Sequence, residues 1–176
     1  MADPVWEEAR MRLRLWGPLA PLGLALALLV FGVDQAHKWW MLSIYDIGGR
    51  QPVSFTPLLD LVLVWNRGVS YGLFDAHPQS FLIAITLVVC AVLWLWLCRS
   101  VQPLTAAALG LVIGGALANA LDRVLHGAVA DFFLLHWGAW SWYVFNLADM
   151  AIVAGVALLL YESFHDRGGA PGLGNA

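Results

Sequence analysis

The stretch of sequence that decides the fold is residues 81–98, FLIAITLVVCAVLWLWLC. It contains no charged residue, and the first charge after it is Arg99. About 20 apolar residues in a helix are enough to cross the roughly 30 Å hydrocarbon core of a bilayer. The stretch therefore predicts a membrane-spanning helix and places the chain among membrane proteins.

The composition of the whole chain agrees with this. Of its 176 residues, 61% are hydrophobic and 12% charged, and the mean hydropathy is +0.74. Soluble domains have about 45–50% apolar and about 25% charged residues. These values exclude a soluble enzyme, a disulfide scaffold and a disordered chain. Because nine Lys and Arg residues face twelve Asp and Glu residues without a basic stripe, nucleic acid is not an expected partner.

Three further apolar stretches lie between charged residues. They are residues 15–33, 104–121 and 140–161, and the last of them contains Asp149. The four stretches together predict an all-α integral membrane protein with four transmembrane helices, forming one membrane domain over residues 1–176. In residues 104–121, small side chains recur every four positions, which allows two helices to approach closely in lipid.

The orientation follows from basic and aromatic residues. Trp and Tyr collect at membrane interfaces, and here they fall into two groups: Trp16, Trp94, Trp96 and Tyr161 on one side, and Trp39, Trp40, Trp137, Trp140 and Trp142 on the other. Five arginines lie in the short segments that flank the spans on the side of the first group: Arg10, Arg12, Arg14, Arg99 and Arg167. Since cytoplasmic flanks are enriched in Lys and Arg, both termini are predicted to be cytoplasmic.

The connection between the first two spans is then on the outer side. Within residues 40–80, the segment VSFTP (53–57) is followed by residues 59–66, which are rich in Val, Leu and Trp and are bounded by Pro57 and Gly68. This predicts short strands and hence a small β-rich periplasmic region between helices 1 and 2. The Gly-rich residues 168–176 are expected to form a disordered tail.

One acid lies inside a predicted span. An ionisable side chain deep in a bilayer costs at least ~2.5–3.5 kcal/mol, so it indicates a functional site. Asp149 follows Trp140 by nine residues, which predicts a depth of roughly 10–14 Å below the interface. Asn146, three residues earlier, shares its helical face and is expected to donate a side-chain amide hydrogen bond to it.

A second set of polar residues follows the third span. Asn119 and Asp122 share one helical face, Arg123 comes next, and Asp131 lies beyond a short apolar turn. Asp122 and Arg123 are expected to form an ion pair at the helix end. Asp131 has no basic neighbour in sequence and precedes an apolar run, so its carboxyl group should resist ionisation.

Two carboxyl groups in one apolar site hold a single proton between them, which leaves one as base and the other as acid. This is the chemistry of aspartyl proteases, in which the base activates a water and the acid assists the peptide carbonyl. Asp122, Asp131 and Asp149 allow three such pairs, and their spacing does not select one.

Four ordered blocks of the sequence closely resemble bacterial lipoprotein signal peptidase, the signal peptidase II family. The blocks are DQAHK (34–38), NRGVSYGLF (66–74), GGALANALDRVLHGAVADF (114–132) and FNLAD (145–149). Two mild departures are Ala130, where the family often has a bulkier aliphatic residue, and residues 69–71, which are often Ala-Ala-Phe. The blocks cover nearly the whole predicted membrane core.

The resemblance implies that Asp131 and Asp149 are the catalytic pair. It also implies supporting positions that shape the site: Asp34, Lys38, Asn66, Gly68, Asn119, Asp122, Arg123 and Asn146. The implied activity is cleavage of a prolipoprotein signal peptide just before a diacylglyceryl-modified cysteine. The family further implies residence in the bacterial inner membrane, an active site facing the periplasm, contact with membrane lipids, and inhibition by the peptide globomycin, without metal or cofactor.

Two other functions have some support in the sequence. Residues 68–72 spell G-x-S-x-G, the nucleophile-elbow pattern of serine hydrolases, with Ser70 as the nucleophile. Alternatively, intramembrane acids relay protons in transporters, although the sequence has no evident inverted repeats. Neither H-E-x-x-H nor a Cys/His cluster is present to predict a zinc site.

Overall fold

The computed structural model describes residues 15–68, 79–138 and 140–168. Its helices are α1 (Ala20–Trp39), α2 (Ile47–Arg50), α3 (Gln79–Arg99), α4 (Pro103–His126) and α5 (Leu147–Gly168), and a π-helical turn, Trp40–Ile44, extends α1. Four segments are long and apolar enough to cross a membrane: Ala20–Ile44, Gln79–Arg99, Pro103–His126 and Leu147–His165. By length and composition, the prediction of four membrane helices is confirmed.

A four-stranded antiparallel sheet accompanies the helices. Its strands are β1 (Val53–Thr56), β2 (Leu59–Asn66), β3 (Val129–Trp137) and β4 (Trp140–Phe145), in the order β1-β2-β3-β4. The first two strands occupy the predicted region between the first two spans. The other two lie between α4 and α5, where the sequence predicted no strands.

The predicted start of the fourth span was also wrong. The apolar pattern predicts that this helix begins at Trp140, whereas residues 140–145, WSWYVF, form β4 and the helix begins at Leu147. Aromatic and β-branched side chains suit a half-buried strand, and β4 is paired with β3 from Phe133–Phe145 to Trp137–Trp140. Hydropathy alone does not separate such a strand from the helix that follows it.

Helix α4 lies at the centre of the bundle and packs against α1, α3 and α5. Two adjacent glycines make this possible. A methyl group at Gly114 would lie 2.5 Å from the carbonyl oxygen of Ala27 on α1, and one at Gly115 would lie 2.5 Å from that of Ala148 on α5. The predicted small-residue packing therefore brings α4 against two neighbours, one of which carries Asp149.

Two clusters of buried apolar side chains hold the helices to one another and to the sheet. One joins α1, α3 and α4 and includes Leu97, Leu109 and Ile113. The other joins the π-helical turn and α2 to the sheet through Met41, Ile47, Ala130 and Phe132. Because Ala130 and Phe132 flank Asp131, the second cluster fixes the strand that carries this acid. The basic residues before position 15 and the predicted tail after Gly168 lie outside the described residues.

Candidate active site

Asp149 lies in the first turn of α5, where it forms a reciprocal cap with Asn146. The backbone N–H of Asp149 donates to Oδ1 of Asn146 at 2.9 Å, and the backbone N–H of Asn146 donates to Oδ2 of Asp149 at 3.3 Å. This arrangement is a capping box, which satisfies backbone donors that a helix start leaves unpaired. Asp149 is therefore close to the start of its helix. The helical path from Trp140, on which the predicted depth of 10–14 Å depended, is wrong because residues 140–145 form β4.

Asp131 lies on β3 and is only 1% exposed. Both of its carboxylate oxygens accept hydrogen bonds from amide groups. Nδ2 of Asn146 donates to Oδ1 at 2.6 Å, and Nδ2 of Asn66 donates to Oδ2 at 3.2 Å. The side-chain amide of Asn146 was expected to reach Asp149. Instead, this amide donates to Asp131, and the backbone N–H of Asn146 donates to Asp149.

Asn119 completes the connection between the two acids. Its Nδ2 donates to Oδ1 of Asp149 at 2.8 Å, and its Oδ1 accepts from Nδ2 of Asn146 at 3.2 Å. Asn119 and Asn146 are thus hydrogen-bonded to each other, and each donates to one acid of the pair. Since both asparagines are buried, the two carboxyl groups are oriented by side chains that have little freedom to turn.

A buried ion cluster lies next to this network. Nζ of Lys38 is 2.8 Å from Oδ2 of Asp34 and 2.7 Å from Oδ2 of Asp122, and it donates to Oδ1 of Asn119 at 3.0 Å. The side chains of all three charged residues are at most 4% exposed. Lys38 thus compensates two buried carboxylates, as the burial of charge requires.

Each acid of this cluster also holds the backbone directly before one acid of the pair. Oδ1 of Asp34 accepts from the N–H of Ala148 at 2.9 Å, one residue before Asp149. Oδ2 of Asp122 accepts from the N–H of Ala130 at 3.2 Å, one residue before Asp131. Lys38 therefore links, through two carboxylates, the α5 start and the β3 segment that carry Asp149 and Asp131.

The expected ion pair between Asp122 and Arg123 is absent from this arrangement, because Asp122 is paired with Lys38. Consecutive residues of a helix do not face each other. Arg123 instead donates through Nη2 to the carbonyl oxygen of Gly68 at 2.7 Å, while the N–H of Gly68 donates to Oδ1 of Asn66 at 3.1 Å. Gly68 and Arg123 therefore hold the end of β2 where Asn66 meets Asp131.

A cavity of about 350 Å³ opens beside the pair. Polar residues line one part of it, among them Asn66, Asn119, Arg123 and Asp149, and apolar side chains line the rest: Leu82, Ile85, Ile152 and Val153. Asp131 is separated from the cavity by Asn66, which both lines it and covers one carboxylate oxygen. A ligand with a polar centre and an apolar extension matches such a lining.

The electrostatics of the site favour a protonated Asp131 near neutral pH. Burial, and after it the nearby charge of Asp149, raise the pKa of Asp131 from its ordinary value of 3.8 to about 7. Hydrogen bonds from Asn66 and Asn146 and the charge of Lys38 act in the opposite direction. A carboxyl group that still holds its proton at neutral pH is able to act as a general acid.

All ten predicted site residues lie in this one network. Sequence reasoning missed Gln35, whose Nε2 donates to Oδ1 of Asp122 at 2.9 Å and to the carbonyl oxygen of Ala118 at 3.2 Å. Its position beside Asp34 in the DQAHK block was the signal that could have found it. In the described part of the chain, no group of three or more His, Cys, Asp or Glu side chains could hold a metal ion.

Comparison with known proteins gives a consistent result. A family model described as signal peptidase (SPase) II matches residues 26–165. The lipoprotein signal peptidase of Methylocella silvestris is 51% identical over 152 residues, which cover 85% of this chain and 89% of the relative. That of Beijerinckia indica is 48% identical over 154 residues, covering 85% and 92%. A solved structure described as a bacterial membrane enzyme superposes with a TM-score of 0.76 at 24% identity, covering 89% of this chain and 95% of that one, and confirms the fold.

Proposed function

Because the chain belongs to the signal peptidase II family, whose members cleave signal peptides from prolipoproteins, we propose that Asp131 and Asp149 are the two groups that perform this cleavage. The observation that carries the proposal is the double role of Asn146. Its backbone donates to Asp149 while its side chain donates to Asp131, so one residue holds both acids in a single site.

The environments of the two acids suggest a division of labour. Asp149 accepts from Asn119 and from the backbone of Asn146 in the first turn of a helix, where the helix dipole favours a negative charge. Asp131 keeps its proton near neutral pH because it is buried beside that charge. We assign Asp149 as the general base and Asp131 as the general acid.

In the resulting mechanism, Asp149 takes a proton from a water molecule whose oxygen attacks the scissile carbonyl carbon. Asp131 hydrogen-bonds the carbonyl oxygen and transfers its proton as the tetrahedral intermediate forms. When the C–N bond breaks, the leaving amine takes the proton held by Asp149. One hydroxyl group of the intermediate returns its proton to Asp131 as the carbonyl group forms again, so the pair holds one proton at the end of the cycle. Because Asn66 covers Asp131, productive binding displaces the Asn66 amide and exposes the acid to the carbonyl group.

The cavity fits the substrate that the family implies. Its apolar walls come from membrane helices, so a signal peptide and the acyl chains of a diacylglyceryl-cysteine could reach the acids without leaving the lipid. We propose cleavage immediately before that cysteine, in the bacterial inner membrane, with the sheet and the acids on the periplasmic side and both termini in the cytoplasm. Globomycin, an inhibitor implied by the family, is expected to occupy the same cavity.

A serine hydrolase is the principal competing mechanism. Its nucleophile, Ser70, lies outside the described residues. Loss of activity in Ser70→Ala together with normal activity in the Asp131 and Asp149 variants would favour the serine mechanism and contradict our assignment.

We predict that the rate of cleavage falls on the alkaline side of about pH 7. The folded-state pKa of Asp131 is raised, so the acid is protonated below about pH 7 and loses its proton above it. The value of kcat/KM should then decrease about tenfold per pH unit well above the pKa. The measurement is a pH profile of initial rates in lipid nanodiscs at constant ionic strength. A profile that stays flat to pH 9 would contradict the assignment of Asp131 as the acid.

We also predict that an unlipidated precursor is a poor substrate. Acyl chains far from the scissile bond supply binding energy that positions it, so their removal should lower kcat/KM. The measurement compares a synthetic precursor with and without its diacylglyceryl group, under the same lipid conditions and with the same signal sequence. Equal values for the two would contradict the proposed substrate class while leaving the aspartyl mechanism intact.

A further inference from the structure

The hairpin formed by β3 and β4 ends in three exposed tryptophans. Trp137, Trp140 and Trp142 are 80%, 57% and 44% exposed. Trp137 is the register partner of Trp140, and the rings of Trp140 and Trp142 are 5.5 Å apart. The three side chains therefore form one continuous aromatic surface, which we call the tryptophan tip.

The part of the hairpin beyond Asp131 has no acidic residue, lysine or arginine to accompany this surface. Between Phe132 and Phe145 the sequence contains no Asp, Glu, Lys or Arg. β4 is also an edge strand, and edge strands in water are usually protected by charged residues against pairing with other chains. An uncharged edge with exposed tryptophans is therefore poorly suited to bulk water.

The hairpin begins and ends next to the ends of two candidate membrane spans. Only two residues separate His126 at the end of α4 from β3, and Asn146 alone separates β4 from α5. Further along β3, the ring of Phe133 stacks on that of His37 at 5.4 Å. His37 lies in the first span, about 10 Å along the helix axis before its end at Ile44. The middle of β3 is therefore packed against this end of the first span.

The first span carries aromatic residues at the same end. Trp39 and Trp40 are 61% and 44% exposed and lie just beyond His37. Tryptophan is enriched where a bilayer meets water, since its ring is apolar and its N–H group is a donor. The tryptophan tip thus continues the aromatic belt of a span that is itself in the membrane.

We propose that the tryptophan tip is a membrane anchor that inserts into the interfacial region of the leaflet on the side of the sheet. Its partner is the lipid surface. The anchor fixes the far end of β3, and so helps to hold the strand that carries Asp131 at a constant depth. The inference depends on the four membrane helices and is independent of the roles proposed for the two acids.

A spin label at position 137 tests this proposal. Cys90 and Cys98 are buried, so a nitroxide reagent should react selectively with Trp137→Cys in the full-length protein. The matched control is Arg50→Cys, at an exposed charged position on α2. The variants are reconstituted in vesicles of phosphatidylcholine and phosphatidylglycerol, with processing of a lipidated precursor as the check of folding.

The readout is the accessibility of each label to oxygen, which concentrates in lipid, and to a water-soluble nickel chelate. We expect the label at position 137 to collide more with oxygen and less with the chelate than the label at position 50. Equal accessibility of both labels to the chelate would overturn the proposal. Dipolar broadening between labels at position 137 in different molecules would also overturn it, because a second copy would then cover the tip.

Discussion

Replacement of Asp131 by asparagine is expected to lower signal-peptide release by about 10⁴-fold or more, and replacement of Asp149 to do the same. Asparagine nearly preserves the shape of the side chain, so the fold should be retained. It can neither accept the proton of the attacking water nor donate a carboxylic acid proton to the carbonyl group. Each substitution therefore removes the acid–base function while changing little else.

Asp60→Asn is the matched control for these variants. Asp60 lies on β2 of the same sheet and contacts Ser54 and His136, outside the network around the acids. It should support near-normal turnover. The measurement is release of signal peptide from a lipidated precursor by each purified variant. A large loss in Asp60→Asn would show that changes in the sheet, and not the chemistry of the pair, explain the effect.

The second large effect is expected for Lys38→Met, although Lys38 contacts neither acid of the pair directly in the hydrogen-bond network. The substitution leaves Asp34 and Asp122 buried without their cation, and breaking a buried ion pair in this way costs about 3–5 kcal/mol. Both carboxylates hold backbone adjacent to the pair. A displacement of about 1 Å between reacting groups can cost about 10²-fold in rate, so we expect kcat to fall by about that factor.

A pH profile separates positioning from a merely structural loss. The positive charge of Lys38 lowers the pKa of Asp131, so its removal should move the alkaline limb of the profile to higher pH. The control is Arg50→Met, which removes an exposed cation that lies over the ring of Tyr45. Wild-type kcat together with an unmoved alkaline limb in Lys38→Met would contradict the positioning role.

The number of membrane helices could be predicted from the sequence, because a span depends on local composition. A run of apolar residues predicts a span wherever it occurs, and an acid inside it is conspicuous. The choice of Asp131 and Asp149 among three acids came from the family resemblance. In the structure, the third acid, Asp122, is committed to Lys38.

The remaining errors share one cause, which is that tertiary pairing does not appear in local patterns. Residues 140–145 are apolar enough for a span, but they become β4 because β3 offers a partner. The same error made the path from Trp140 to Asp149 helical throughout. Likewise, the adjacent residues Asp122 and Arg123 suggested a local ion pair. The partner of Asp122 is instead Lys38 on α1, which lies 84 positions earlier in the sequence.

The most direct test of the central claim is single-turnover cleavage of a lipidated prolipoprotein by the wild type, Asp131→Asn, Asp149→Asn and the double variant, in identical nanodiscs. When two catalytic groups act as one unit, the first substitution already removes almost all of the catalytic rate, and the second removes little more. We expect both single variants to fall to the background rate and the double variant to be no slower than either. Normal turnover by either single variant would contradict it.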